Sequence, residues 1–155
     1  MKFFISYPYI VYSFITWVYI FIFIKLEGIK RLWPISIVSA IILFISTYWL
    51  ILLNLYRFNI SFLSILGIPF FYILWGAGSG IIFANYIGDK FYQKVISILG
   101  FSSVVVIAES IIENYKRVEH LGKFNNGFQF VFDIFILSML AFLITNLFPN
   151  RLLIK

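Results

Sequence analysis

Residues 3–24 read FFISYPYIVYSFITWVYIFIFI, 22 residues without a charge, preceded by Lys2 and followed by Lys25. A helix rising 1.5 Å per residue needs about 20 apolar residues to cross the hydrocarbon core of a bilayer, and this run supplies them. A secretory h-region is about 7–15 residues long and ends at a small-residue cleavage site. This run is longer, is bulky and aromatic to its end, and has no A-x-A pattern. It is read as a retained transmembrane helix.

The rest of the chain has the same character. Of 155 residues, 63% are apolar and 12% charged, whereas soluble domains average about 45–50% and about 25%. With 20 Phe, 10 Tyr and 4 Trp, the chain carries more apolar surface than one small soluble core can hide. That excludes a soluble enzyme, a disordered chain and a nucleic-acid module built on basic patches. The formal charge of +6 comes from Lys and Arg lying between apolar runs. These charges suit orientation and lipid headgroups, so the lipid bilayer is the expected partner and nucleic acid is not. There is no cysteine, hence no disulfide, thiol nucleophile or Cys-ligated metal.

The expected fold is all-α: a single integral membrane domain over 1–155 with five transmembrane helices at about 3–24, 34–55, 68–87, 95–112 and 128–148. Pro34 opens the second span, because its missing N–H would be unpaired in a first turn anyway. Residues 60–87 are too long for one upright span and too short for two. Phe58, Phe62 and Ile65 recur at helical spacing opposite Arg57, Ser61 and Ser64, which suggests an interfacial amphipathic helix over 57–66. The alternative is one long tilted helix over 60–87. Counting Lys and Arg near the spans puts seven on one side (25, 30, 31, 90, 94, 151, 155) and five on the other (2, 57, 116, 117, 123). The positive-inside rule then places the C-terminus in the cytoplasm and the N-terminus outside.

Gly76 and Gly80 lie four apart in the third span and strip one helix face of side-chain bulk. Another helix can approach closely there, and a ligand notch is the rival use. Ionisable residues within the bilayer are costly and usually face protein or water. Glu109 lies about a turn before the end of the fourth span and Asp133 about a turn and a half after the start of the fifth. The spacing therefore puts both at one depth on the side of their shared loop. With Glu113, they are the candidate intramembrane polar site. Glu113 and Arg117, four apart, are expected to form one acidic-to-basic face. His120, the only histidine, is expected to be a solvated loop residue. A His-rich metal site cannot be built with it, and no cofactor signature or catalytic motif is present.

Three places carry a resemblance to a family of small, about five-span membrane proteins of endospore-forming, low-GC bacteria. Lys30-Arg31-Leu-Trp33-Pro34 resembles the basic, aromatic, proline approach to that family's second span. Gly67-Ile-Pro69-Phe-Phe resembles the approach to its third. Glu113, Gly122-Lys-Phe124 and Asn126-Gly127-Phe128 resemble an acidic residue followed by a glycine-aromatic step and an Asn-Gly-aromatic start to the last span. The family more usually has Trp where Phe128 stands, and a small polar residue where Asp133 stands. The resemblance implies a multi-pass protein of a bacterial cell membrane and brings no established activity.

The functional expectation from the sequence is a non-enzymatic binding or structural component, with a homo-oligomer or a membrane-protein partner joined through the Gly76/Gly80 face. One alternative is a carrier of a small solute or cation, or its substrate-binding subunit, centred on Glu109, Glu113 and Asp133. The other is a lipid-acting membrane enzyme.

Overall fold

The computed structural model describes residues 7–59 and 63–147. Five helices lie among them: α1 (Pro8–Phe23), α2 (Leu26–Leu52), α3 (Phe70–Tyr86), α4 (Phe91–Asn114) and α5 (Asn126–Leu147). Short strands fill the connections: β1 (Tyr56–Phe58), β2 (Ser64–Ile65) and β3 (Ile68–Pro69) between α2 and α3, and β4 (Val118–His120) between α4 and α5. Three helices are long and apolar enough to cross a membrane: α2, α4 and, over Asn126–Asn146, α5. With 16 and 17 residues, α1 and α3 reach about 24–26 Å at 1.5 Å per residue. Large apolar side chains on the outside, among them Phe14, Phe21, Ile41, Ile96, Phe135 and Phe142, form the kind of surface that lipid tolerates and water does not.

The helices sort around α3. Its buried small residues Gly76, Ala77, Gly78, Gly80 and Ala84 let partners close in from two sides. A Cβ on Gly76 would run into Leu43 and one on Gly80 into Ser39, both on α2, while a Cβ on Gly78 would come within 2.7 Å of Thr16 on α1. Two hydrogen bonds fasten this arrangement: Ser39 Oγ donates to the Gly76 carbonyl (2.9 Å) and Trp17 Nε1 to the Leu74 carbonyl (3.2 Å). In lipid, where no hydrophobic force draws helices together, such close backbone packing and polar ties do the work. The glycine helix is therefore the core of the α1–α3–α2 layer. Helices α4 and α5 form an antiparallel pair beside it, and Lys94 Nζ donates to Thr145 Oγ1 (3.2 Å) across their far end.

At the other end, β1 pairs antiparallel with β4, matching Tyr56 to His120, Arg57 to Glu119 and Phe58 to Val118. Bonds from the Leu121 N–H to the Leu55 carbonyl and from the Asn59 N–H to the Arg117 carbonyl extend the ribbon. Two connections more than 50 residues apart are thus sewn together, and Arg57, Lys116 and Arg117 share one end of the bundle. The α5 start beneath the ribbon is capped by Asn125, whose Oδ1 accepts from the Phe128 N–H (2.9 Å), as an N-cap side chain does.

Two sequence expectations are corrected. No amphipathic helix lies over 57–66: 56–58 is a strand, and 64–69 is a β2–β3 hairpin turning through Leu66 (φ 51°) and Gly67 (φ 84°), with 60–62 outside the described residues. Two successive positive φ values are those of the tight hairpin turn whose twist matches its strands, and that turn overrides the weak 3.6-residue periodicity. The single tilted helix over 60–87 fails for the same reason. Pro34 does not open the second helix, which begins at Leu26. Lys25 and Ile24 alone make the turn, Glu27 occupies the first helical turn where its charge suits the dipole, and Pro34 sits inside the helix. The observed bounds of α1 and α3 to α5 otherwise fall within a few residues of the expected spans; residues 3–6, 148 and those beyond lie outside the described residues.

The hairpin gives a local test. Nothing crowds Gly67, so Gly67→Ala costs only its positive φ, about 1 kcal/mol, seen as a small fall in unfolding midpoint. A clash-free gain in stability would contradict the turn.

Candidate functional site

Beneath the ribbon the bundle buries a carboxyl group. Glu109, a turn from the end of α4, is 1% exposed. Its Oε2 accepts two hydrogen bonds, from the Tyr56 hydroxyl on β1 (2.5 Å) and from Gln129 Nε2 in the first turns of α5 (2.7 Å). One oxygen thereby ties strand, helix and helix together. Gln129, 4% exposed, stands four residues before Asp133 on the same face of α5, so Asp133 belongs to the same cluster.

Aromatic rings surround the group. Tyr9, Phe58 and Tyr72 meet edge to face with centroids 5.1–5.6 Å apart, and Tyr56 packs on Phe58, His120 and Phe124. Burial, and after it the neighbouring Glu109 carboxylate, pushes the Tyr56 phenol well above its ordinary value. It therefore keeps its proton and acts as the donor. A raised folded-state value means that this contribution to stability is fully present below the unfolded value of about 10 and is lost as pH rises through the folded one. Thermal unfolding followed from pH 7 to 11 should stay level to about pH 10 and then fall. Tyr56→Phe should remove that component of the alkaline loss.

Three buried acceptor oxygens in the cluster have no partner: Glu109 Oε1, Gln129 Oε1 and Asp133 Oδ2. Two cavities lie beside Asp133, the smaller also lined by Gln129, and Glu109 lines neither. The smaller, about 20 Å³, is lined by Thr47, Tyr56, Tyr72, Gln129 and Asp133 among others, room for about one water. The larger, about 80 Å³, runs toward the bundle middle between Leu43, Trp75, Gly76, Gly80, Phe101 and Leu140. Asp133, Tyr72, Leu43 and Ile136 line both, so Asp133 has space on either side.

The expected site residues are thus placed unequally. Glu109 and Asp133 come together through Gln129. Glu113 faces elsewhere: its Oε1 lies 3.3 Å from His120 Nδ1, with the His120 side chain 4% exposed and that of Glu113 33% exposed. Glu113 and Arg117 do not share a helix face, because α4 ends at Asn114 and Arg117 lies beyond it. His120 is not a solvated loop residue, since β4 turns it inward against Tyr56 and Phe124. Gly76 and Gly80 serve both the packing against α2 and the floor of the larger cavity. Among the described residues no three His, Asp or Glu side chains gather to hold a metal ion.

Sequence reasoning missed Tyr56, Gln129 and the ring cage. Gln129 carried a usable signal, four residues from an Asp within an apolar run. Tyr56 carried none, because only the β1–β4 pairing brings it 53 residues along the chain to Glu109. No family model matches the chain, and no curated protein or solved structure is similar to it.

Proposed function

We propose that the chain is a five-span, non-enzymatic integral membrane protein that binds a small hydrogen-bond-donating cation at Gln129 and Asp133. The observation that carries this reading is the pair of buried, unpartnered acceptor oxygens, Gln129 Oε1 and Asp133 Oδ2, on side chains that line a water-sized cavity. Buried acceptors left unmatched are costly, and a guest made only of donors with a positive charge is their complement. Membership of the small polytopic family of endospore-forming, low-GC bacteria, in the cell membrane, agrees with the loop motifs. The count of seven Lys and Arg against five supports a cytoplasmic C-terminus, which sets the ribbon and the cluster on the outer side.

The test is calorimetric titration of ammonium chloride into the full chain in phosphatidylcholine nanodiscs, with empty discs as reference. Saturable binding that weakens at least tenfold in Asp133→Asn is expected. No binding to the well-folded wild type would overturn the reading.

A carrier is the second reading, and the space on either side of Asp133 favours it, since a path needs space on both sides of its polar centre. Cation uptake by liposomes holding the protein would support it, and flux equal to that of empty vesicles would remove it.

A further inference from the structure

We propose that the guest of this site is a primary ammonium carrying a short apolar tail, with the ammonium between Gln129 and Asp133 and the tail in the larger cavity between α2, α3, α4 and α5. This rests on the cation-binding reading and adds the chemical class of the guest.

Three features select it. The head of the site offers two unpartnered acceptor oxygens, Gln129 Oε1 and Asp133 Oδ2, with the Thr47 hydroxyl lining the same space, and a primary ammonium has three donors and no acceptor. Gln129 is 4% exposed, so its oxygen finds no partner in bulk water. The space beside these groups is about 20 Å³, which admits a water-sized head and rejects a trimethylammonium.

The second feature is continuity. Asp133 lines both cavities, so a group held there has the larger one directly behind it. That cavity is walled by Leu43, Trp75, Phe101, Val105, Leu137 and Leu140, and an inorganic cation would leave it empty. The rings of Tyr72 and Trp75, with centroids 5.8 Å apart, line the larger cavity together with Asp133 and suit a cation attached to carbon.

The third is size. A cavity of roughly 150 Å³ takes benzene, so about 80 Å³ suits a tail of about three or four carbons. A longer chain would have to displace Leu140 or Phe101.

The experiment titrates ammonium, n-propylammonium, propyltrimethylammonium and n-propanol into the full chain in phosphatidylcholine nanodiscs. Propylammonium should bind at least tenfold tighter than each of the other three. Asp133→Asn should weaken it at least tenfold. Ser79→Phe, which fills the tail cavity from α3, should erase the advantage of propylammonium over ammonium while leaving ammonium binding intact. Equal binding of ammonium and propylammonium by the wild type would overturn the tail and leave the cation reading standing. Equal binding of propylammonium and propyltrimethylammonium would overturn the head. Absence of binding by every probe would overturn both readings together. Because the ligand series is measured on the wild type, misfolding of a variant does not rescue the proposal. Adding phosphatidylethanolamine to the discs separates two sources of the same group: competition assigns the ammonium to a lipid headgroup, and its lack assigns it to a free amine.

Discussion

Glu109→Ala should destabilise the protein by about 2–6 kcal/mol, because it leaves two buried donors without an acceptor. The Tyr56 hydroxyl and Gln129 Nε2 both donate to the same Glu109 oxygen, and Glu109 is 1% exposed. Truncation strands both donors, and a buried donor without a partner costs about 1–3 kcal/mol. Glu109→Gln keeps one acceptor oxygen for the two donors and should cost about 1 kcal/mol. Reversible unfolding in detergent micelles reads both values. A double-mutant cycle with Tyr56→Phe should show coupling of about 1–2 kcal/mol, because the two groups share one bond. If Glu109→Ala falls within about 0.5 kcal/mol of wild type, a value typical of neutral surface changes, the tie between the ribbon and the α4–α5 pair is wrong.

Gly80→Ala should be nearly as damaging, although alanine is the better helix former by about 1 kcal/mol. The new Cβ would land on Ser39 Cβ and Oγ. Ser39 cannot turn away, because its Cβ is fixed to the α2 backbone and its hydroxyl is committed to the Gly76 carbonyl. The helices must separate, and overpacking of this kind costs about 1–3 kcal/mol. Gly100→Ala on α4 is the matched control. A Cβ there meets nothing within 4 Å, so it should stabilise by about 0.5–1 kcal/mol through helix propensity alone. The prediction is a difference in sign between two identical substitutions in apolar helices of one bundle. Two substitutions of equal effect would mean that α3 does not press its glycines against α2.

Much of the architecture was legible in the chain. The uncharged run over 3–24, the apolar stretches that became α2 to α5 and the loop charges between them determined a helical membrane protein, because a bilayer leaves backbone polar groups no partner outside a helix or a closed barrel. The glycine spacing of α3 determined which face would accept a neighbour. The turn at Gly67 was legible in part, as a break before the span, but the period of Phe58, Phe62 and Ile65 was misleading. In so apolar a chain, hydrophobic residues recur at helical spacing by chance, and nothing polar contradicts them. Pro34 misled similarly, since proline inside a helix is tolerated where neighbouring helices support it.

Glu109 and Asp133 stood out in the sequence because charge within an apolar run has a local cost that is visible without any fold. Their surroundings did not stand out. Tyr56 and His120 look like loop residues, and Phe58 like part of an interfacial helix, until β1 pairs with β4, and Glu113 and Arg117 look like one helix face until α4 stops at Asn114. Hydrophobicity is additive along the chain and readable from composition. A hydrogen bond between residues 53 positions apart depends on the register of two loops, which only the packed helices bring to one end of the molecule.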